Sequence, residues 1–150
     1  MTREEKCKIM IKQGFTYDSV SGNVYGKQQQ LINTNSRGYI VISFKYMKKH
    51  YTIKGHQFGY YYINNIIVDY IDHINGIKND NRLCNLRSVT NQENTFNNKA
   101  KGYCWDKSRN KFSAQIKLNG KKIHLGRFDN EEDASNAYKE AKKIYHIINW

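Results

Sequence analysis

The sequence predicts an α+β chain: a small β-hairpin lead-in, a strand–loop–strand–helix core, then a three-stranded antiparallel sheet packed on one helix. Three observations predict it. Residues 111–118 alternate, with Phe112, Ala114, Ile116 and Leu118 on one side and Lys111, Ser113, Gln115 and Lys117 on the other, the period of a half-buried strand. Short β-branched and aromatic runs separated by turn residues recur before residue 55. Thr/Glu pairs three apart mark two helix starts, at Thr2–Glu5 and Thr90–Glu93.

Taken in order, Thr2 and Glu5 open a short helix that Gly14 ends as its C′ residue, with Ile9, Met10 and Ile11 as the apolar side. Phe15 to Asp18 and Val24–Tyr25 form a hairpin across residues 19–23. Tyr39 to Phe44 and Tyr51 to Ile53 form a second, turning at Met47–Lys48–Lys49–His50, whose basic turn either touches a phosphate backbone or only packs the outer side of the core. His56 begins a helix, GHQFGYYYINN, in which Phe58, Tyr61 and Tyr62 supply apolar contacts and His56 is a structural hydrogen-bonder rather than a catalytic group. Ile66–Ile67–Val68 and Tyr70–Ile71 read as a buried strand that delivers Asp72 and His73 at its end. An Asn-, Asp- and Gly-rich loop follows from Asn75 to Arg82, then a second strand over Asn85–Val89, then the helix opened by Thr90, with Asn94 and Asn98 on one face. That geometry turns Asn94 toward Asp72 and His73.

These residue types suit one chemistry. Asp72 offers a hard anionic oxygen and Asn94 a neutral carbonyl oxygen, a pair suited to Mg²⁺ or Mn²⁺. His73 can take a proton from water near neutral pH. A metal holding a phosphate oxygen beside a base that activates water hydrolyses phosphodiesters. Asn85 braces the loop through its backbone. Arg82, in the loop, and Arg87, on the strand face opposite Leu86, are candidates to hold the scissile phosphate, Arg82 the better one.

The stretch IDHINGIKNDNRLCNLRSVTNQEN resembles the HNH nucleases with their ββα-metal core, in particular the phage-type homing endonucleases. Eleven residues separate His73 from Asn85 and eight separate Asn85 from Asn94, the spacing of the His-Asn-Asn form of the motif. The resemblance implies that His73 is the general base, Asp72 and Asn94 the metal ligands and Asn85 the central Asn of the catalytic set. Asn94 stands where the family's name has a His.

The C-terminal third has a different character. Asn119–Gly120 is a hairpin turn, and the return strand puts Ile123 and Leu125 inside with Lys122 and His124 outside. Asp129 and Glu132 cap a helix with a stripe of Ala134, Ala137, Tyr138, Ala141, Ile144 and Tyr145. Through KGYCWD, WDKSRNKFSAQIK and KKIHLGRFD it resembles the ethylene-response-factor (Apetala-type) DNA-binding domain. The resemblance implies that Lys101, Gln115, Lys117, Lys122 and His124 face DNA. The expected domains are residues 1–98, with a lead-in over 1–55 and a core at about 66–98, and residues 99–150.

The formal net charge of +12 and pI near 9.6 point to a polyanionic partner. Twelve tyrosines beside the lysines favour nucleic acid over a merely solvated surface. Cys7, Cys84 and Cys104 lack CxxC spacing, so no structural zinc is expected and the thiols should be reduced. The start, MTREEKCKIMIKQG, lacks the apolar core of a signal peptide. Together with the HNH resemblance, which implies a phage- or mobile-element-encoded DNA endonuclease, these features lead to the expectation of a cytoplasmic enzyme acting in a bacterial host. It would carry one Mg²⁺ or Mn²⁺ per site, use no small-molecule cofactor or membrane, and bind double-stranded DNA as a monomer or homodimer. The competing class is a non-catalytic DNA-binding regulator with a degenerate core. An RNA-binding protein would need more orderly stacking platforms.

Overall fold

A computed structural model describes residues 1–33, 35–96 and 100–148. The chain divides into two compact units, Met1–Ser88 and Val89–Trp150. The architecture is mixed α+β, with hairpins ahead of a three-stranded antiparallel sheet packed on a helix.

The first unit begins with α1 (Arg3–Lys12), whose start is the expected capping box. Glu5 N–H donates to Thr2 Oγ1 at 3.2 Å and Thr2 N–H donates to the Glu5 carboxylate at 2.7 Å. Its buried side is Cys7 and Met10, and Ile11 is 41% exposed. Of the expected Ile9–Met10–Ile11 side, Met10 is buried and Ile9 packs partly against the core, while Ile11 is corrected to the exposed side, because consecutive helical residues point about 100° apart. Strands β1 (Thr16–Tyr17) and β2 (Val24–Tyr25) form the first hairpin. Strands β3 (Asn35–Ser36), β4 (Tyr39–Tyr46) and β5 (Lys49–Lys54) form an antiparallel sheet in that order. Its second turn is only Met47–Lys48, both at positive φ, so Lys49 and His50, expected in the turn, are strand residues. A two-residue turn with both residues left-handed matches strand twist best, and that favours the shorter loop.

Helix α2 (Gly55–Asn64) follows and ends on Asn65 in the left-handed conformation. Phe58 and Tyr61 from α2 join Cys7, Met10, Phe15, Tyr17, Val24, Ile42, Phe44 and Ile53 in one buried cluster. Strand β6 (Tyr70–His73) pairs with β7 (Leu86–Val89), after a 3₁₀ turn at Leu83–Asn85. The long buried strand expected from Ile66 is corrected here: Ile66 is 52% exposed, Ile67 39% and Tyr70 39%. An apolar run reports hydrophobicity, not pairing, and the four-residue β7 offers no ladder to residues before Tyr70.

The second unit carries α3 (Asn91–Phe96), opened by Thr90 and Glu93 in reciprocal hydrogen bonds of 2.8 and 3.2 Å. Asn98, the expected face-mate of Asn94, lies outside the described residues. Strands β8 (Tyr103–Asp106), β9 (Lys111–Leu118) and β10 (Lys121–Phe128) form an antiparallel sheet with β9 central. It turns at Asn119–Gly120, both at positive φ. Helix α4 (Glu131–Tyr145) packs against all three strands. Its cap is Asn130, whose side chain accepts from Asp133 N–H at 2.8 Å, one residue on from the expected Asp129 and Glu132. Ala134, Tyr138 and Ala141 are buried with Ile116, backed by Ile123 and Leu125. The expected stripe stops there: Ile144 is 65% exposed, since the small sheet covers only the earlier turns. Gly102, at φ +76°, lets β8 start flat on Tyr138, where a Cβ would lie 2.0 Å from the ring.

Candidate active site

The site in the first unit is built at the end of β6. Asp72 and His73 are 7% and 5% exposed, so both polar groups are withdrawn from water and must be satisfied within the protein. Arg87, on the paired strand β7, forks onto Asp72 Oδ2 from Nε at 3.0 Å and Nη2 at 2.7 Å. That pairing is cross-strand and requires Arg87 to stand on the side opposite buried Leu86, as period-two geometry expects. The fork restrains Asp72 and neutralises its charge in a site where a lone carboxylate would be costly.

His73 Nε2 lies 3.1 Å from Asn81 Oδ1, and Asn81 is itself 2% exposed. The His56 ring stands edge-on to His73 at 4.9 Å and 86°, and Tyr39 lies 6.1 Å from His73. His56 is buried, and its Nδ1 has no hydrogen-bond partner among the described residues. Burial, with the neighbouring His73 second, pushes the His56 pKa down to about 3, so it stays neutral beside His73. Two ammonium groups converge on Tyr39: Lys54 Nζ at 4.2 Å and Lys78 Nζ at 5.1 Å from the ring centre.

The loop between the strands is braced from within and without. Asn85 Oδ1 accepts from Asn75 N–H at 3.0 Å, while its Nδ2 donates to Asp80 O at 2.8 Å and Asn75 Oδ1 at 3.0 Å. Asn85 is therefore a loop brace whose amide is used on both ends. Arg82 forks onto Asp80 at 2.8 and 2.6 Å, and that contact holds the Asp80 carboxyl well below the usual carboxylate range. Arg82 is half-exposed at 49%, whereas the Arg87 side chain is 15% exposed. From the lead-in, Tyr17 Oη donates to Asn81 O at 2.7 Å and Ser19 O accepts from Leu83 N–H at 3.0 Å. Gly22, at φ +76°, permits this approach, because a Cβ there would lie 2.4 Å from Arg82 N. The first hairpin is thus a buttress for the loop.

Asn94 lies on α3 in the second unit and is exposed. In that unit, Gln115 and Lys117 of β9 stand opposite His124 and Lys122 of β10, all four exposed on one sheet face. Lys101 is exposed and 3.8 Å from Glu131. His146 Nε2 donates to Lys117 O at 3.2 Å and its ring stacks on Phe96 at 4.1 Å, which ties α3 to the end of α4.

Asp72 is a carboxylate, the donor type that hard divalent cations such as Mg²⁺ and Mn²⁺ take. Among the described residues no group of three or more His, Cys, Asp or Glu side chains could hold a metal. An Asp–Asn set falls outside that count. Cys84 and Cys104 are exposed, and burial pushes the Cys7 thiol up to about 12.

Sequence reasoning passed over Asn81 and set His56 aside. A signal for His56 existed, an imidazole at the start of an otherwise apolar helix. Asn81 had none, being one polar residue in a loop of them.

Residues 47–96 match the family model described as HNH endonuclease, a span that includes His56, Asp72, His73, Asn85 and Asn94. A solved structure entitled "DNA binding and cleavage by the HNH homing endonuclease I-HmuI" is similar, with a TM-score of 0.49 and 21% identity over 73% of this chain and 70% of that one. No curated protein matches the chain. Among the described residues no helix is long and apolar enough to cross a membrane.

Proposed function

We propose that this protein is a metal-dependent DNA endonuclease of the HNH homing type, encoded by a phage or mobile element. The observation that carries the reading is the buried Asp72–His73 pair at the end of β6, inside the segment that matches the HNH endonuclease model. His73 is the general base: it takes a proton from the attacking water. Asp72, with Asn94, would hold a Mg²⁺ or Mn²⁺ ion, which when bound neutralises charge on the phosphate. Arg87 fixes Asp72 by its two-point fork. Asn85 keeps the loop closed. Arg82, already the more exposed arginine, can exchange Asp80 for a phosphate oxygen.

Residues 99–150 are, in this reading, an ethylene-response-factor-like DNA-binding module that follows a nuclease region over residues 1–98. Support comes from its three antiparallel strands on one helix and from a sheet face that carries Gln115, Lys117, Lys122 and His124 outward, with Lys101 at its entry. The formal charge of +12 gives the whole chain a polyanion-binding character. The test is plasmid cleavage by purified protein with Mg²⁺, with Mn²⁺ and with EDTA. Cutting in either metal that EDTA abolishes is the expected result. DNA binding with no cutting under any metal would instead identify a non-catalytic regulator.

A further inference from the structure

We propose that the turn between β4 and β5 is a DNA-deforming wedge: Met47 enters the stacked bases of a duplex while the lysines around it hold the flanking phosphates. This rests on duplex DNA being the partner, as proposed above. The turn consists of Met47 at φ +47° and Lys48 at φ +63°. A left-handed backbone costs free energy for a residue with a Cβ, and two-residue turns of this kind favour Asn–Gly for that reason. The turns at Arg37–Gly38 and Asn119–Gly120 each put a glycine in the second place. Met47–Lys48 does not. The chain keeps two long side chains at this tip against local strain, and such strain gathers at functional positions.

What the tip presents fits that partner. Met47 is 76% exposed, and Lys45, Lys48, Lys49 and His50 beside it are all exposed. That exposure rules out the other role the sequence allowed, packing the outer side of the core. An apolar apex among cations is the pattern of a side chain that parts a base step while its neighbours neutralise phosphates. No Asp or Glu occurs between Ser19 and Val68, so no carboxylate of this segment competes for the lysines. The base of the hairpin, by contrast, is gripped. Phe44 is buried against the Tyr51 ring at 5.8 Å, and Gln13 Nε2 donates to Lys45 O at 3.0 Å. The ladder closes with Tyr46 opposite Lys49, and the two turn residues beyond it stand in solvent. A rigid stem under an exposed apex can transmit force to a base step.

The experiment uses the full-length protein in EDTA and a mixed-sequence duplex of about thirty base pairs with a fluorophore at each end. Affinity, salt slope and end-to-end energy transfer are measured on the DNA, and urea midpoints on the protein. The parent should bind the duplex and bring its ends closer. Met47→Asn keeps every lysine and suits a left-handed backbone, so its urea midpoint should equal or exceed the parent's and its salt slope should match. Its bend should be lost and its affinity should fall about tenfold. Lys48→Gly relieves the turn in the same way but leaves Met47, so it should keep the bend and lose about one unit of salt slope. A Met47→Asn protein that bends the duplex as the parent does overturns the proposal. So does a lower urea midpoint in both variants, since the turn is then unstrained. A parent that binds without bending removes the wedge and leaves DNA as the partner. A parent that binds no duplex sinks the DNA reading itself, and the wedge with it.

Discussion

The two units present their polar groups in opposite ways. In the first, Asp72, His73, Asn81, Asn85 and His56 are all buried beside a cluster of ten apolar side chains. In the second, Gln115, Lys117, Lys122 and His124 stand in solvent on a sheet whose buried side chains include Ala114, Ile116, Ala134, Tyr138 and Ala141, most of them small. Bond-breaking needs groups held in one geometry and shielded from water, so each buried polar atom must be matched by a partner. Contact with a phosphate backbone needs only mobile charge at the surface, which a small core can carry. The comparison teaches that the first unit withdraws its polar groups from water beside a substantial core, whereas the second leaves them in solvent over a small one.

The largest expected effect tests the first half of that contrast. His73→Ala should lower the cleavage rate by about two to four powers of ten while DNA affinity stays nearly intact. Asp72→Ala should abolish cleavage and also destabilise the unit, because it removes both hydrogen bonds of the fork from a largely buried guanidinium. Single-turnover cleavage and urea unfolding measure the two effects separately. Near-parental rates in either variant would remove the buried site from the chemistry.

Next in size is the difference between the cores. Phe58→Ala, at a fully buried position, should cost the first unit about 3–5 kcal/mol. Gly102→Ala combines a left-handed backbone with a collision against Tyr138, so it should unfold the second unit selectively. Hydrogen exchange resolved by residue would show which unit opens in each case. Uniform loss of protection in both variants would mean that the units fold as one.

A smaller effect depends on pH. His56 faces His73 and Tyr39, with Lys54 and Arg3 adding positive potential, and is held near 3 against an ordinary value of 6.5. Its folded-state pKa is depressed, so the unfolded chain takes the proton first. Stability is therefore complete above about pH 6.5 and is lost as pH falls toward 3, at up to about 1.4 kcal/mol per pH unit from this group. Urea midpoints of parent and His56→Gln across that window should diverge, with the variant flatter. Parallel curves would mean that His56 is reached by water.

The smallest effect belongs to the exposed face. Lys117→Ala should lower the salt slope of DNA binding by about one unit if it meets a phosphate, and Gln115→Ala should cost about 1–3 kcal/mol of discrimination if it reads a base. Binding of cleavage-dead protein to target and random duplexes over a salt series separates the two. A double variant that behaves like the parent on both would move recognition off the sheet.

Much of the secondary structure was legible because its causes are local. Thr2 with Glu5 and Thr90 with Glu93 satisfy their own helix starts, and Asn119–Gly120 turns its hairpin, without reference to anything distant. Alternation from Lys111 to Leu125 likewise sorted inward from outward residues. The misjudged places are those where the partner is remote. Ile66 and Ile67 are apolar yet have no strand to join, and Ile144 sits on the right face of α4 but beyond the sheet's edge. Cys7, not Ile11, shares the buried side of α1 with Met10.

By itself the sequence determined the α+β class, the order of elements, the Asp72–His73 doublet and the basic outward face, since periodicity, capping and turn chemistry act over a few residues. Only the tertiary structure decided which of many loop asparagines touches His73, that Arg87 rather than Arg82 forks onto Asp72, and that His56 stays neutral at its side. Those choices depend on burial and on contacts between residues as far apart in the chain as Tyr17 and Asn81, and no local pattern encodes a desolvated partner.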